Sequence, residues 1–255
     1  GSRFEETDTR KMYHYEVATG DALWGKNSDQ VIEDFTTYAN TTEGDASWVT
    51  DNTSKMRVNP TTDVFDFSNS ASTQDITAYY DIGTANISDT AWVCRFKWDF
   101  TTYTPSTVAA QVTLFNVGLT SLHEGGWNAT EDYLQIEIIS VGSTNEMRLV
   151  ANNNGTVINN AMDITPSATT YYVELTRTSA TNFRIKIFSD SNYTTQLGST
   201  SDKTITSAYT GLRYFTMHMK VESTNGNQIG TIDDIEFWNG VTTATTGNAW
   251  SEEGT

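Results

Sequence analysis

Cysteine and proline are nearly absent from this chain, and positive charge is scarce. The single cysteine, Cys94, excludes an internal disulfide. The only prolines are Pro60, Pro105 and Pro166, so few positions lack the N–H that a sheet needs. Lys and Arg number 15 against 32 Asp and Glu, a net charge of -17. An acidic surface repels phosphate backbones and anionic lipid, which argues against nucleic-acid and membrane partners. No run of about 18 apolar residues exists, so no segment is suited to spanning a bilayer as a helix. A Gly-rich phosphate loop, a Cys pair and a His-x-x-x-His motif are all missing. His14, His123 and His218 are scattered, and a zinc site would have to be assembled from distant positions. No segment of a dozen residues has helical periodicity.

What the chain has instead is alternation. Ala91-Trp92-Val93-Cys94-Arg95-Phe96-Lys97-Trp98-Asp99-Phe100 places Trp92, Cys94, Phe96, Trp98 and Phe100 on one side. Val93, Arg95, Lys97 and Asp99 fall on the other, the pattern of a strand with one buried and one wet face. So many large side chains on one face need a thick apolar layer opposite, which a second sheet supplies. Cys94 in that company is an inert small hydrophobe. Further strands are predicted at 31–38, 55–59, 64–67, 78–82, 112–117, 134–141, 147–151, 171–177, 183–188, 212–221 and 230–238, with Asn, Thr, Asp and Ser turns between them. At 255 residues and 28.3 kDa this is one large all-β domain, an antiparallel β-sandwich or jelly roll. Residues 1–30 form an N-terminal arm, 31–240 the sandwich and 241–255 a C-terminal strand or tail. Opening on Gly1-Ser2-Arg3 without methionine or signal peptide, the sequence reads as processed, a fragment or an expression product.

Glu33-Asp34-Phe35 with Trp48, the run from Ile87 to Phe96, and the closing Gly230-Thr231-Ile232-Asp233-Asp234-Ile235-Glu236-Phe237-Trp238-Asn239-Gly240 resemble the concanavalin A-like lectin/glucanase superfamily, in particular its laminin-G-like jelly rolls. The resemblance spans about residues 31–240 and implies architecture far more than function. Residues 1–13 are similar to a segment of tail and virion structural proteins of bacterial and marine viruses. There it is followed by a Trp-containing strand like Ala249-Trp250-Ser251-Glu252-Glu253-Gly254-Thr255, which implies a split terminal pair flanking the sandwich.

Glucanases of the superfamily carry a Glu-x-Asp-x-(x)-Glu run, and no predicted strand here has all three carboxylates. Asp234 with Glu236 lacks the third member, and Glu137, among Leu134, Ile136 and Ile138, reads as a surface carboxylate. Retaining hydrolysis needs paired carboxyl groups about 5 Å apart, so the expectation is a non-catalytic protein. Asp233 is in phase with Ile235 and Phe237, so alternation aims a carboxylate at the core. It must therefore be paired, hydrogen-bonded, metal-bound or rotated out by a bulge. The resemblance implies a structural Ca²⁺ where last strand meets first, held by Asp233 with Glu33 or Asp34 as its partner; the alternative is that Asp233 and Asp34 cap strand ends in solvent.

The most unusual loop, Ser121 to Tyr133, has a double glycine, Gly125-Gly126. It presents His123, Trp127, Asn128, Asp132 and Tyr133 outside any strand pattern. An aromatic platform with amide and carboxylate neighbours is the chemistry of glycan recognition. The other reading has Trp127 covering a sandwich edge or a neighbouring subunit. Together these features describe a lectin-like jelly roll at a virion or cell surface, with glycan, itself and other structural proteins as partners. The competing class is a carbohydrate-active enzyme or the binding module of a secreted glycanase.

Overall fold

The computed structural model describes residues 2–6, 11–15, 30–70, 74–105, 111–119, 132–141, 144–153, 155–221 and 226–244. Strands β1 (Ser2–Glu6) and β2 (Lys11–Tyr15) come first, followed by β3 (Gln30–Glu33), helix α1 (Thr41–Ser47), β4 (Trp48–Thr50), β5 (Met56–Asn59) and β6 (Val64–Ser70). Then come β7 (Gln74–Asp81), β8 (Trp92–Thr104), β9 (Gln111–Gly118), β10 (Tyr133–Val141), β11 (Thr144–Asn153) and β12 (Thr156–Ala161). The chain closes with β13 (Thr170–Arg177), β14 (Asn182–Phe188), β15 (Gln196–Thr204), β16 (Tyr214–Val221) and β17 (Asn227–Asn239).

Two antiparallel sheets make the predicted sandwich. One has eight strands in the order β15-β14-β13-β8-β17-β6-β5, with β3 paired to β17; the other has seven, β12-β11-β10-β9-β16-β7-β4. The aromatic strand β8 is central, between β13 and β17. Trp92, Cys94, Phe96, Trp98 and Phe100 all face inward at 2% exposure or less. Their counterparts come from the other layer: Phe96 meets Phe115 of β9 at 4.4 Å between centroids, and Phe237 of β17 meets Phe215 of β16 at 5.5 Å. Offset and tilted aromatic pairs of this kind add about 0.5–1.5 kcal/mol each beyond area burial.

Lys11–Tyr15 is a strand, but its partner is Ser2–Glu6, in a separate two-stranded ladder. Residues 249–255, predicted as that partner, lie outside the described residues. Helix α1 was not predicted. Its seven residues are too few for a period, yet its start is written as a capping box. Asn40 accepts the N–H groups of Thr42 and Glu43, while Glu43 accepts the N–H of Ala39, the reciprocal arrangement that satisfies a helix N-terminus.

Candidate functional site

Strands β9, β10 and β16 lie side by side in the seven-stranded sheet. Alternation turns Phe115, Val117, Leu134, Ile136, Ile138, Phe215 and Met217 into the sandwich core. The opposite, outward face is then polar: Asn116 on β9, Gln135 and Glu137 on β10, Thr216 and His218 on β16, with Arg148 and Asn152 on neighbouring β11. Outward polar residues normally meet water. These do not: Gln135, Asn152, Thr216 and His218 are 0% exposed, Glu137 is 1% and Asn116 3%.

The ladder registers set these side chains in rows across the sheet. One row runs Val150–Gln135–Asn116–Thr216–Tyr79. The next runs Arg148–Glu137–Leu114–His218–Thr77. Neighbours in a row stand about 4.8 Å apart, the spacing between strands.

Glu137 is held at both oxygens. Gln135 Nε2 donates to Oε2 at 2.8 Å, and Arg148 Nε donates to Oε1. Burial pushes the Glu137 carboxyl up, and Arg148 followed by Gln135 pulls it back toward ionisation. His218 Nε2 and Asp75 Oδ1 lie 2.5 Å apart at the far end of the row. In the first row the situation is reversed. Gln135 Oε1, Asn116 Oδ1 and Thr216 Oγ1 are buried with no hydrogen-bond partner. The Asn116 oxygen lies over Gly118, where a Cβ would stand 2.7 Å from it. A buried polar atom without a partner costs about 1–3 kcal/mol, so among the described residues this row carries three unsatisfied oxygens, two amide acceptors and one hydroxyl that can donate or accept.

Two predicted glycan residues adjoin this face, and one needs correcting. Asp132 is half-buried and accepts from Asn153 Nδ2 at 3.4 Å. Tyr133 is not presented by a loop: it opens β10, is 1% exposed, and its carbonyl accepts the Tyr209 hydroxyl at 3.0 Å. His123, Trp127 and Asn128 lie outside the described residues. The reading of Glu137 as a surface carboxylate is also overturned by its burial and its pairing with Arg148. Cys94 is buried in the core, where desolvation pushes its thiol well above the usual range.

The three acids proposed for calcium each contact groups of the protein. Glu33 is buried and committed to protein donors: Oε1 accepts the Phe35 N–H at 3.0 Å, and Oε2 accepts the Tyr38 hydroxyl at 2.6 Å and Trp48 Nε1 at 3.4 Å. Burial raises both the Glu33 carboxyl and the Tyr38 phenol. Asp34 Oδ1 accepts the N–H and hydroxyl of Thr36. Asp233 is turned out of the core by a register shift between Asp233 and Glu236, with Asp234 at φ 52°, so that Ile232, Ile235 and Phe237 face inward. Its carboxylate then meets Lys97 Nζ at 3.3 Å and accepts the Asp234 N–H at 2.8 Å. Among the described residues no group of three or more His, Cys, Asp or Glu could hold a metal. Asp233→Ala is accordingly expected to lower stability by about 1 kcal/mol, the value of a partly exposed ion pair. A chelator should move the melting temperatures of wild type and variant equally. A chelator-induced drop that disappears in Asp233→Ala would place a calcium ion at Asp233.

No family model and no curated protein matches the sequence. Solved structures do match in fold. The carbohydrate recognition domain of Emp47p aligns over 87% of this chain and 99% of its own, at TM-score 0.56 and 10% identity. Lectin II from Ulex europaeus aligns over 82% and 97%, at 0.58 and 10%. The exoplasmic/lumenal domain of VIP36, in a Ca²⁺/Man3GlcNAc-bound form, aligns over 86% and 92%, at 0.58 and 9%. At these identities the likeness establishes the concanavalin A-like lectin jelly roll as the fold and leaves function to the residues.

Proposed function

We propose that this chain is a non-catalytic, lectin-like module that takes a glycan on the outward face of its seven-stranded sheet. The observation that carries the reading is the row Gln135–Asn116–Thr216, whose buried oxygens have no protein donor. Sugar hydroxyls are donors at a comparable spacing, and amide and hydroxyl oxygens are the acceptors that usually orient them. Asp132, which immediately precedes β10, fits the same reading, and His123, Trp127 and Asn128 are carried over to it from the sequence alone. Full burial of the row means that a ligand reaches it only after this face opens, so binding should be slow compared with diffusion.

Both oxygens of Glu137 are occupied by Arg148 and Gln135, which suits an orienting group better than a nucleophile or a proton donor. The place of work that fits is an extracellular or virion surface. There the terminal strands would attach the module to copies of itself or to other structural proteins, since a lone two-stranded ladder is marginal in water and usually gains from a further sheet.

A glycan panel tests the reading. Wild type should bind at least one neutral glycan, and Asn116→Ala with Thr216→Val should weaken that binding about tenfold or more, the loss of one or two good hydrogen bonds. No reducing ends should appear on β-glucans, agars or laminarin. Binding indifferent to both substitutions would move the site elsewhere, and turnover abolished by Glu137→Gln would favour the enzyme class.

A further inference from the structure

The outer face of the eight-stranded sheet carries a second set of polar side chains. Two cavities of about 330 Å³ lie there side by side and share Tyr193 as a wall. This is the small end of the range for ligand pockets, about 300–1,000 Å³. One cavity is acidic, lined by Asp34, Asp234 and Glu236 with Lys97. The other is lined by Arg95, Arg184 and Lys186 with Glu174 as its one carboxylate. A chain with only 15 Lys and Arg and a net charge of -17 has therefore concentrated three cations in one small space.

Those cations are not equally engaged. Arg184 pairs with Asp202 at 2.6 Å. Arg95 is 8% exposed, and its Nε and Nη2 both donate to Glu174 Oε2, at 2.9 and 2.6 Å. Its Nη1 is buried without a partner, and its guanidinium lies 4.1 Å over the Tyr193 ring. Lys186 has no ion-pair partner among the described residues. Tyr193 is itself fixed at φ 56° in a turn gathered by Asp190, which accepts the N–H groups of Asn192, Thr194 and Thr195. Its ring sits 5.4 Å from that of Phe188. The basic cavity thus combines one free ammonium, one unfilled guanidinium donor, an apolar wall of Phe188 and Tyr193, and threonine hydroxyls from Thr176, Thr242 and Thr243.

We propose that this cavity binds the carboxylate-bearing sugar of an acidic glycan. The carboxylate would sit against Lys186 and Arg95, and the C–H face of the pyranose against Phe188 and Tyr193. The acidic cavity beyond Tyr193 sets the direction. A second carboxylate is repelled there, whereas neutral hydroxyls can donate to Asp34, Asp234 and Glu236, so the ligand carries its acid at one end only. This site lies on the opposite sheet from the row of orphan acceptors and does not depend on that face binding anything.

Saturation-transfer NMR and titration with glucuronate, glucose and N-acetylglutamate test it on the full chain. Glucuronate should bind about tenfold or more tightly than glucose, and more weakly as salt is raised, because the discriminating contact is charge on charge. Lys186→Ala, or Lys186→Gln if the alanine variant does not fold, should erase the preference, while Arg213→Gln, in an exposed ion pair with Asp81 away from both cavities, leaves it intact. Equal affinity for glucose, no glucuronate binding, or a preference that survives at Lys186 would overturn the proposal. N-acetylglutamate binding as tightly as glucuronate would overturn its sugar part.

Discussion

Gly230→Ala should destabilise the fold by about 4 kcal/mol, at the severe end for a single substitution, which corresponds to a melting temperature roughly 10 °C lower in a chain of this size. A Cβ at Gly230 would stand 1.9 Å from the Asp99 carbonyl oxygen and 2.8 Å from Phe67 Cζ. The first of these is backbone and cannot step aside. Gly230 lies where β17 shifts register against β8, between Ile229 and Gly230, while pairing with Phe67 of β6. Relief therefore requires moving β17 away from β8 near the middle of the eight-stranded sheet. Thr231→Ala next to it should cost under about 1 kcal/mol. Equal melting temperatures for the two variants would mean that the close approach of β8 and β17 is not as described.

Arg148→Met should cost about 3–5 kcal/mol near neutral pH, because it leaves the Glu137 carboxylate buried with Gln135 as its one remaining partner. The pH dependence identifies the cause. Burial already raises the folded pKa of Glu137, so the folded state holds a proton at pH values where the unfolded chain has released it. The stabilising contribution of such a group is complete below its unfolded pKa and is lost as pH rises through the folded one. Arg148 counters that shift, and without it the folded pKa rises further and the loss extends over a wider window. Urea denaturation should therefore show Arg148→Met recovering stability as pH falls from about 8 to about 5. The double variant with Glu137→Gln should show no such recovery. A flat profile for Arg148→Met would mean that Glu137 is solvated after all.

Strand β8 was readable because its neighbours β13 and β17 and the opposite sheet all demand the same thing of it, large apolar groups at every second residue. The edge strands β12 and β15 gave no such signal. Gln196–Thr204, β15, pairs on one side with β14 and is mostly exposed or half-buried; Thr156–Ala161, β12, is likewise an edge with no buried residue. Their backbone ladders hold them, and ladders leave no trace in composition. Asp233 shows a different limit. Its phase with Ile235 announced a conflict, and a bulge was one of the resolutions allowed, but the choice of bulge over metal depends on Lys97, distant in sequence and adjacent only through the β8–β17 pairing. Glu137 was assigned to solvent because an antiparallel sheet commonly keeps one wet face, and its same-face neighbour Gln135 is buried with it. Their burial follows from how the whole chain packs, and alternation along one strand cannot report it. The capping box at Asn40 is legible in the sequence, but no helical period follows it to mark a helix.

A glycan on the outward face of the seven-stranded sheet would lie against the side-chain amides of Gln135 and Asn116. Side-chain amide NMR measures this directly, since Gln135 and Asn116 each carry an NH₂ group beside their orphan oxygen. Titration with a glycan that binds should shift the Gln135 and Asn116 amide signals together and saturably, at the same apparent affinity as binding itself. Amide signals at both positions that stay fixed while the glycan is demonstrably bound would contradict the account.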